Sequence, residues 1–164
     1  MSDEIRGKVD GLLAEYGVKF SVKYVGETVK KDWGGDGKGQ TVDHFRFKLG
    51  DYESDFYMGL GNRAPAQKPF DGGPSPRPGT IMYEELQATR KPISPRAADV
   101  LYCILSDAEA LDCSFLDWCD TFGSDPDSIM AMNTYLECAK TGKELRRIFK
   151  RDQIAALHAA LQDF

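Results

Sequence analysis

Phe45-Arg46-Phe47-Lys48-Leu49-Gly50-Asp51, followed shortly by Ser54-Asp55-Phe56-Tyr57-Met58, decides the fold class of this chain. In the first run Phe45, Phe47 and Leu49 alternate with Arg46 and Lys48. In the second, Ser54, Phe56 and Met58 alternate with Asp55 and Tyr57. Successive side chains of a strand point to opposite faces, so a period of two marks a strand with one buried face. Gly50-Asp51 supplies turn chemistry between the two runs. Upstream, Phe20, Val22 and Tyr24 alternate with Ser21 and Lys23. Three half-buried antiparallel strands joined by turns account for the pattern.

Before the strands, Val9, Leu12, Leu13 and Tyr16 share one stripe at helical spacing, and Gly17 is a natural stop; a helix is predicted over 3–16. Between the first two strands, residues 31–40 hold Gly34, Gly35, Gly37 and Gly39 among charged neighbours and read as an open loop. A second breaker region, 62–80, holds Pro65, Pro69, Pro74, Pro76 and Pro78 and reads as an extended connector.

The remainder has helical periodicity. Ser94-Pro95 is a cap followed by proline, with Val100, Leu101, Ile104 and Leu105 as the apolar face. Ser114 precedes Phe115, Trp118, Cys119 and Phe122, and Gly123 ends that short helix. Asp125-Pro126 opens a longer one through Met132, Tyr135, Leu136 and Ala139, with a kink or break expected at Thr141-Gly142 before Leu145, Ile148 and Phe149. Asp152 is the expected cap of a last helix carrying Ile154, Leu157 and Leu161. The expectation is one α+β domain. It comprises an N-terminal helix plus a three-stranded antiparallel sheet (1–61), the connector (62–80), and a helical half (81–164) holding a C-terminal bundle of about four helices.

At 164 residues, 41% of them hydrophobic, the chain can bury a core without metals or disulfides. No apolar run approaches the roughly 20 residues needed to span a bilayer, and the acidic start Met1-Ser2-Asp3-Glu4 lacks the form of a secretory signal. Cys103, Cys113, Cys119 and Cys138 fall in apolar helical patterns without the paired spacing of a zinc site. They are expected to be buried, reduced thiols in a reducing cytoplasm, with no metal and no cofactor.

No catalytic constellation is legible. Gly37-Lys38 lacks the upstream glycine and the following Ser or Thr of a phosphate-binding loop, and it joins strands instead of opening a helix. Asp43 and His44 are neighbours on a strand and so face opposite ways. Neither His44 nor His158 is tied to a nucleophile. Trp33, beside the glycine run, either anchors a partner or folds back over the sheet.

Charge is the clearest non-core signal. Residues 1–96 carry a net +1, residues 97–139 carry nine acids and no Lys or Arg, and residues 140–164 carry a net +3. Asp107, Glu109, Asp112, Asp117, Asp120 and Asp127 lie in the acidic stretch, with no nearby cation in sequence to offset them. They read either as a solvated face or as a docking surface for a basic partner. Lys143, Arg146, Arg147, Lys150 and Arg151 fan over one side of the helix that follows. They read as a solvated back face or, alternatively, as a nucleic-acid-binding surface.

The stretches Val100–Ala108, Phe115–Cys119, Phe122–Ser128, Thr134-Tyr135 and Leu145–Phe149, with Asp55–Gly61 upstream, resemble a pattern in small bacteriophage proteins of unassigned function. The resemblance spans about two thirds of the chain and brings no catalytic residues with it. It implies a phage product acting in the bacterial cytoplasm. Small acidic phage proteins of this kind, anti-CRISPR proteins among them, often disable host defence machinery. The resulting expectation is a non-enzymatic inhibitor of a bacterial defence or nucleic-acid-processing complex, a host protein or ribonucleoprotein with a basic surface. The alternative is a nucleic-acid-associated phage accessory protein.

Overall fold

In the computed structural model, which describes residues 1–33, 37–65, 76–88 and 90–162, the alternating runs form a three-stranded sheet of order β1-β2-β3. Its strands are β1 (Phe20–Lys30), β2 (Gln40–Leu49) and β3 (Tyr52–Gly59). Phe45, Phe47 and Leu49 are buried while Arg46 and Lys48 face solvent, as period two requires. Gly50 closes the β2–β3 turn with a φ of 62°, a left-handed conformation that glycine adopts without a steric penalty.

The helices are α1 (Asp3–Glu15), α2 (Ile81–Ala88), α3 (Ala97–Ile104), α4 (Phe115–Phe122), α5 (Ile129–Ile148) and α6 (Arg151–Gln162), with a 3-10 segment over Leu105–Leu111. The class is α+β, with helix, antiparallel sheet and then a helical C-terminal half. Ser2, Ser114 and Ser128 cap α1, α4 and α5 through their side-chain oxygens. Gly123, at φ 66°, ends α4.

The long helix α5 starts at Ile129 under the Ser128 cap and not at Asp125-Pro126, and three further features differ from the sequence-based expectation. First, α3 begins at Ala97, not after Ser94-Pro95, because Asp99 accepts the backbone N–H of Arg96 and fixes the first turn there. Second, α5 runs unbroken through Thr141-Gly142. A Cβ on Gly142 would lie 2.8 Å from the Asp107 carbonyl oxygen and 2.9 Å from the Ala108 Cα, so glycine permits close packing of the 3-10 segment on α5. Third, Lys150 and Arg151 do not extend the basic face of α5. Phe149 turns extended at φ −113°, the Gln153 side chain accepts the Lys150 N–H, and α6 starts at Arg151 instead of being capped by Asp152.

The chain divides into two compact units. One comprises Met1–Ser21, Phe47–Ser54 and Pro95–Phe164. In it α1 packs on α3 and α6, and α5 packs on the 3-10 segment. Its core holds Ile5, Val9, Leu13, Leu101, Leu105, Leu145, Phe149 and Leu157. A smaller cluster of Ala110, Trp118, Cys119 and Ala131 joins α4 to α5, with Phe115 and Tyr135 packed against it. The other unit comprises Val22–Arg46 and Asp55–Ser94 and buries Val42, Asp43 and Phe45. Residues 34–36 of the glycine loop and 66–75 of the connector lie outside the described residues.

Candidate functional site

Alpha4 and the first half of α5 combine the acids with exposed apolar side chains. The inward face of α5 is occupied by Ala131, Tyr135 and Cys138 against α4 and the segment before it. That leaves Ile129, Met132 and Leu136, at helical spacing, on the solvent side. Ile129 is 79% exposed and Met130 74%; on α4, Leu116 is 62% exposed and Phe122 also faces water. Asp117, Asp120, Asp125 and Asp127 are exposed in the same stretch. Two of these acids also serve the backbone: Asp117 accepts from the Ser114 cap hydroxyl, and Asp125 accepts the Asp127 N–H. Among the described residues none of the four is ion-paired.

The other acids of the stretch are otherwise engaged. Asp99 pairs with Arg6 at 3.2 Å and Asp112 pairs with Arg146, so cations distant in the sequence offset both. Asp107 is turned toward α5, where Cys138 and Thr141 hydrogen-bond to it; burial raises its pKa above the ordinary carboxylate value. The Glu109 side chain lies outside the described residues. Trp33 belongs to the other unit and is half-buried in the turn after β1, where its backbone N–H donates to the Lys30 carbonyl.

The basic residues also separate. Arg147 makes two hydrogen bonds to Asp51 in the β2–β3 turn, at 2.7 and 3.0 Å, and another pair to Glu144. Arg146 bonds Asp112 and the Ala108 carbonyl. Lys143 is exposed on α5. Lys150 and Arg151 stand exposed at the α5–α6 junction, beside a cavity.

The thiols do not share one environment. Cys119 is buried, Cys113 and Cys138 are half-buried and Cys103 is exposed, so the expectation of four buried thiols holds fully only for Cys119. Alpha3 presents Tyr102 and Cys103 to solvent because its inward face is taken by Val100 and Leu101. Burial, with Asp107 as the next cause, pushes the Cys138 thiol up to about 12. Among the described residues no group of three His, Cys, Asp or Glu side chains is placed to hold a metal. No described helix is long and apolar enough to cross a membrane.

Sequence reasoning missed one polar cluster. Asp43, 2% exposed, accepts two hydrogen bonds from Arg63 at 2.6 and 2.9 Å and one from the Tyr24 hydroxyl at 3.1 Å. Glu27 takes a further Arg63 N–H at 2.7 Å. The bonds from Arg63 hold the Asp43 carboxyl below its ordinary pKa despite burial. On the same strand His44 turns the other way, as expected for its neighbour position. Its Nε2 lies 2.7 Å from Asp55, and its ring stacks on Tyr57. A His–Asp pair is part of a nucleophilic triad; among the described residues no hydroxyl or thiol is bonded to His44.

No protein-family profile, curated protein or solved structure matches the chain.

Proposed function

We propose that the chain is a non-enzymatic binding protein whose α4 and N-terminal half of α5 dock on a basic surface of a bacterial defence or nucleic-acid-processing complex and inhibit it by occlusion. One observation carries this reading. Asp117 and Asp120 on α4, and Asp125 and Asp127 in the turn that follows it, remain without ion pairs among the described residues, next to the exposed Leu116 and Phe122 of α4 and Ile129, Met130 and Leu136 of α5. Exposed apolar groups supply contact area, and uncompensated acids steer a cationic partner and reject an anionic one. The phage origin and the inhibitory role rest on the sequence resemblance.

The alternative, an accessory protein gripping nucleic acid through its basic helix, has less support. Arg146 and Arg147 are already held by Asp112, Asp51 and Glu144. The test is affinity capture from a bacterial lysate with the wild type and with Asp117→Lys/Asp120→Lys, followed by activity assays on the captured complex. A nucleic-acid-processing complex that the wild type retains and inhibits, and that the reversed variant releases, supports the reading. Identical capture by both proteins, or capture without inhibition, contradicts it.

A further inference from the structure

A cavity of about 530 Å³ opens at the α5–α6 junction. This is within the range of small-ligand pockets, roughly 300–1,000 Å³. Phe149, Ile154, Ala108 and Ala155 form its apolar lining. Arg146, Lys150, Arg151 and His158 stand around the same space, with Asp112 as its one acidic residue. Arg151, Ile154, Ala155 and His158 are spaced to fall on one face of α6. The Lys150 and Arg151 side chains have no ion pair among the described residues, whereas Arg146 is shared with Asp112.

Lys150 and Arg151, adjacent and without an ion pair among the described residues, repel one another, and a bound anion relieves that repulsion. The apolar side chains of the same lining remove a hydrophobic body from water. We infer that this cavity binds a small organic phosphate, with its phosphoryl group on Lys150 and Arg151 and its apolar body over Phe149 and Ile154. Guanidinium and ammonium groups donate charge-assisted hydrogen bonds to phosphoryl oxygens. The site is separate from the α4–α5 docking surface and does not depend on that reading.

The test is titration of the full chain with 1-naphthyl phosphate, followed by amide chemical shifts and ligand fluorescence, with inorganic phosphate and 1-naphthol as the two half-ligands. The expected result is one site per chain, with shifts gathered on residues 108–112 and 146–158. Each half-ligand should bind at least about tenfold more weakly than the whole. Lys150→Glu and Arg151→Glu, both on exposed side chains, should each weaken binding about tenfold. Asp112→Asn frees Arg146 and should tighten binding about threefold. Shifts elsewhere, binding unchanged in all three variants, or inorganic phosphate binding as well as the naphthyl ester would overturn the inference. So would a single-stranded oligonucleotide that outcompetes the small ester, since that would make the junction a nucleic-acid site.

Discussion

Arg63 donates to both carboxylate oxygens of Asp43, at 2.6 and 2.9 Å, and Asp43 is buried on β2. The pair fastens the start of the connector to β2. Removing the guanidinium leaves a buried carboxylate with only the Tyr24 hydroxyl, so Arg63→Leu should lower stability by about 3–5 kcal/mol near neutral pH. The folded pKa of Asp43 is lowered in the wild type, so its contribution is full above the unfolded value near 4 and fades as pH falls through the folded value. In Arg63→Leu burial outweighs the remaining Tyr24 hydrogen bond and raises that pKa, so the variant loses stability as pH rises above about 4. The gap between the two proteins should therefore narrow in acid. Urea unfolding at pH 7 and near pH 4 measures it, and a gap independent of pH would show that the pair carries no such charge.

Gly142→Ala gives a second test, this time of packing. Alanine is favoured over glycine in a helix interior by about 1 kcal/mol. Here its Cβ would press on backbone atoms of Asp107 and Ala108, which cannot swing aside as a side chain can. The cost of overpacking, about 1–3 kcal/mol, should outweigh the propensity gain. Thermal unfolding should show a lower Tm for the variant; a higher one would mean that the contact between α5 and the 3-10 segment is looser than described.

The strands were legible because alternation is a local signal, and Phe45, Phe47 and Leu49 sit where the pattern put them. Gly142 was misleading because its purpose is tertiary: low helix propensity argued for a break, and only the backbone opposite explains the glycine. The Asp43–Arg63 pair was illegible because its members are 20 residues apart and Arg63 opens a proline-rich stretch with no periodicity. The acidic stretch was visible as composition. Which acids stay uncompensated was not, since Arg6 and Arg146 reach Asp99 and Asp112 from elsewhere in the chain. The cavity gathers side chains from the 3-10 segment, α5, α6 and their junction, and no spacing rule joins those.

Thiol reactivity follows from the same packing. Cys119 is buried, and the Cys138 thiol is pushed up to about 12, so neither offers appreciable thiolate at pH 8. Native alkylation with iodoacetamide, read by peptide mass spectrometry, should spare both until the protein unfolds. Asp107→Asn removes a carboxylate that raises the Cys138 pKa and should speed its alkylation. Rapid labelling of Cys138 in the native wild type would contradict its placement.

The exposed ion pair of Arg147 with Asp51 makes a modest claim. Both side chains are at least half exposed, so Arg147→Ala should change stability little, and added salt should shrink that change further. The same variant should leave 1-naphthyl phosphate binding unchanged, because Arg147 is not among the cavity residues. A large loss of that binding would show that the basic residues act as one surface, contrary to their separation here.

The account centres on the uncompensated acids of α4 and the turn after it, and the association rate of the captured complex tests them most directly. Stopped-flow or biosensor traces should compare the wild type with Asp117→Lys/Asp120→Lys across a salt series. Both aspartates are exposed and neither enters the Trp118–Tyr135 cluster. The Asp117 bond to the Ser114 hydroxyl is lost, while the cap bond to the residue 117 backbone N–H needs no aspartate. The account predicts an on-rate at least about tenfold slower for the reversed variant at low salt, with the two proteins converging as salt rises. Equal on-rates at every salt concentration would contradict it and leave the acids as a solvated face.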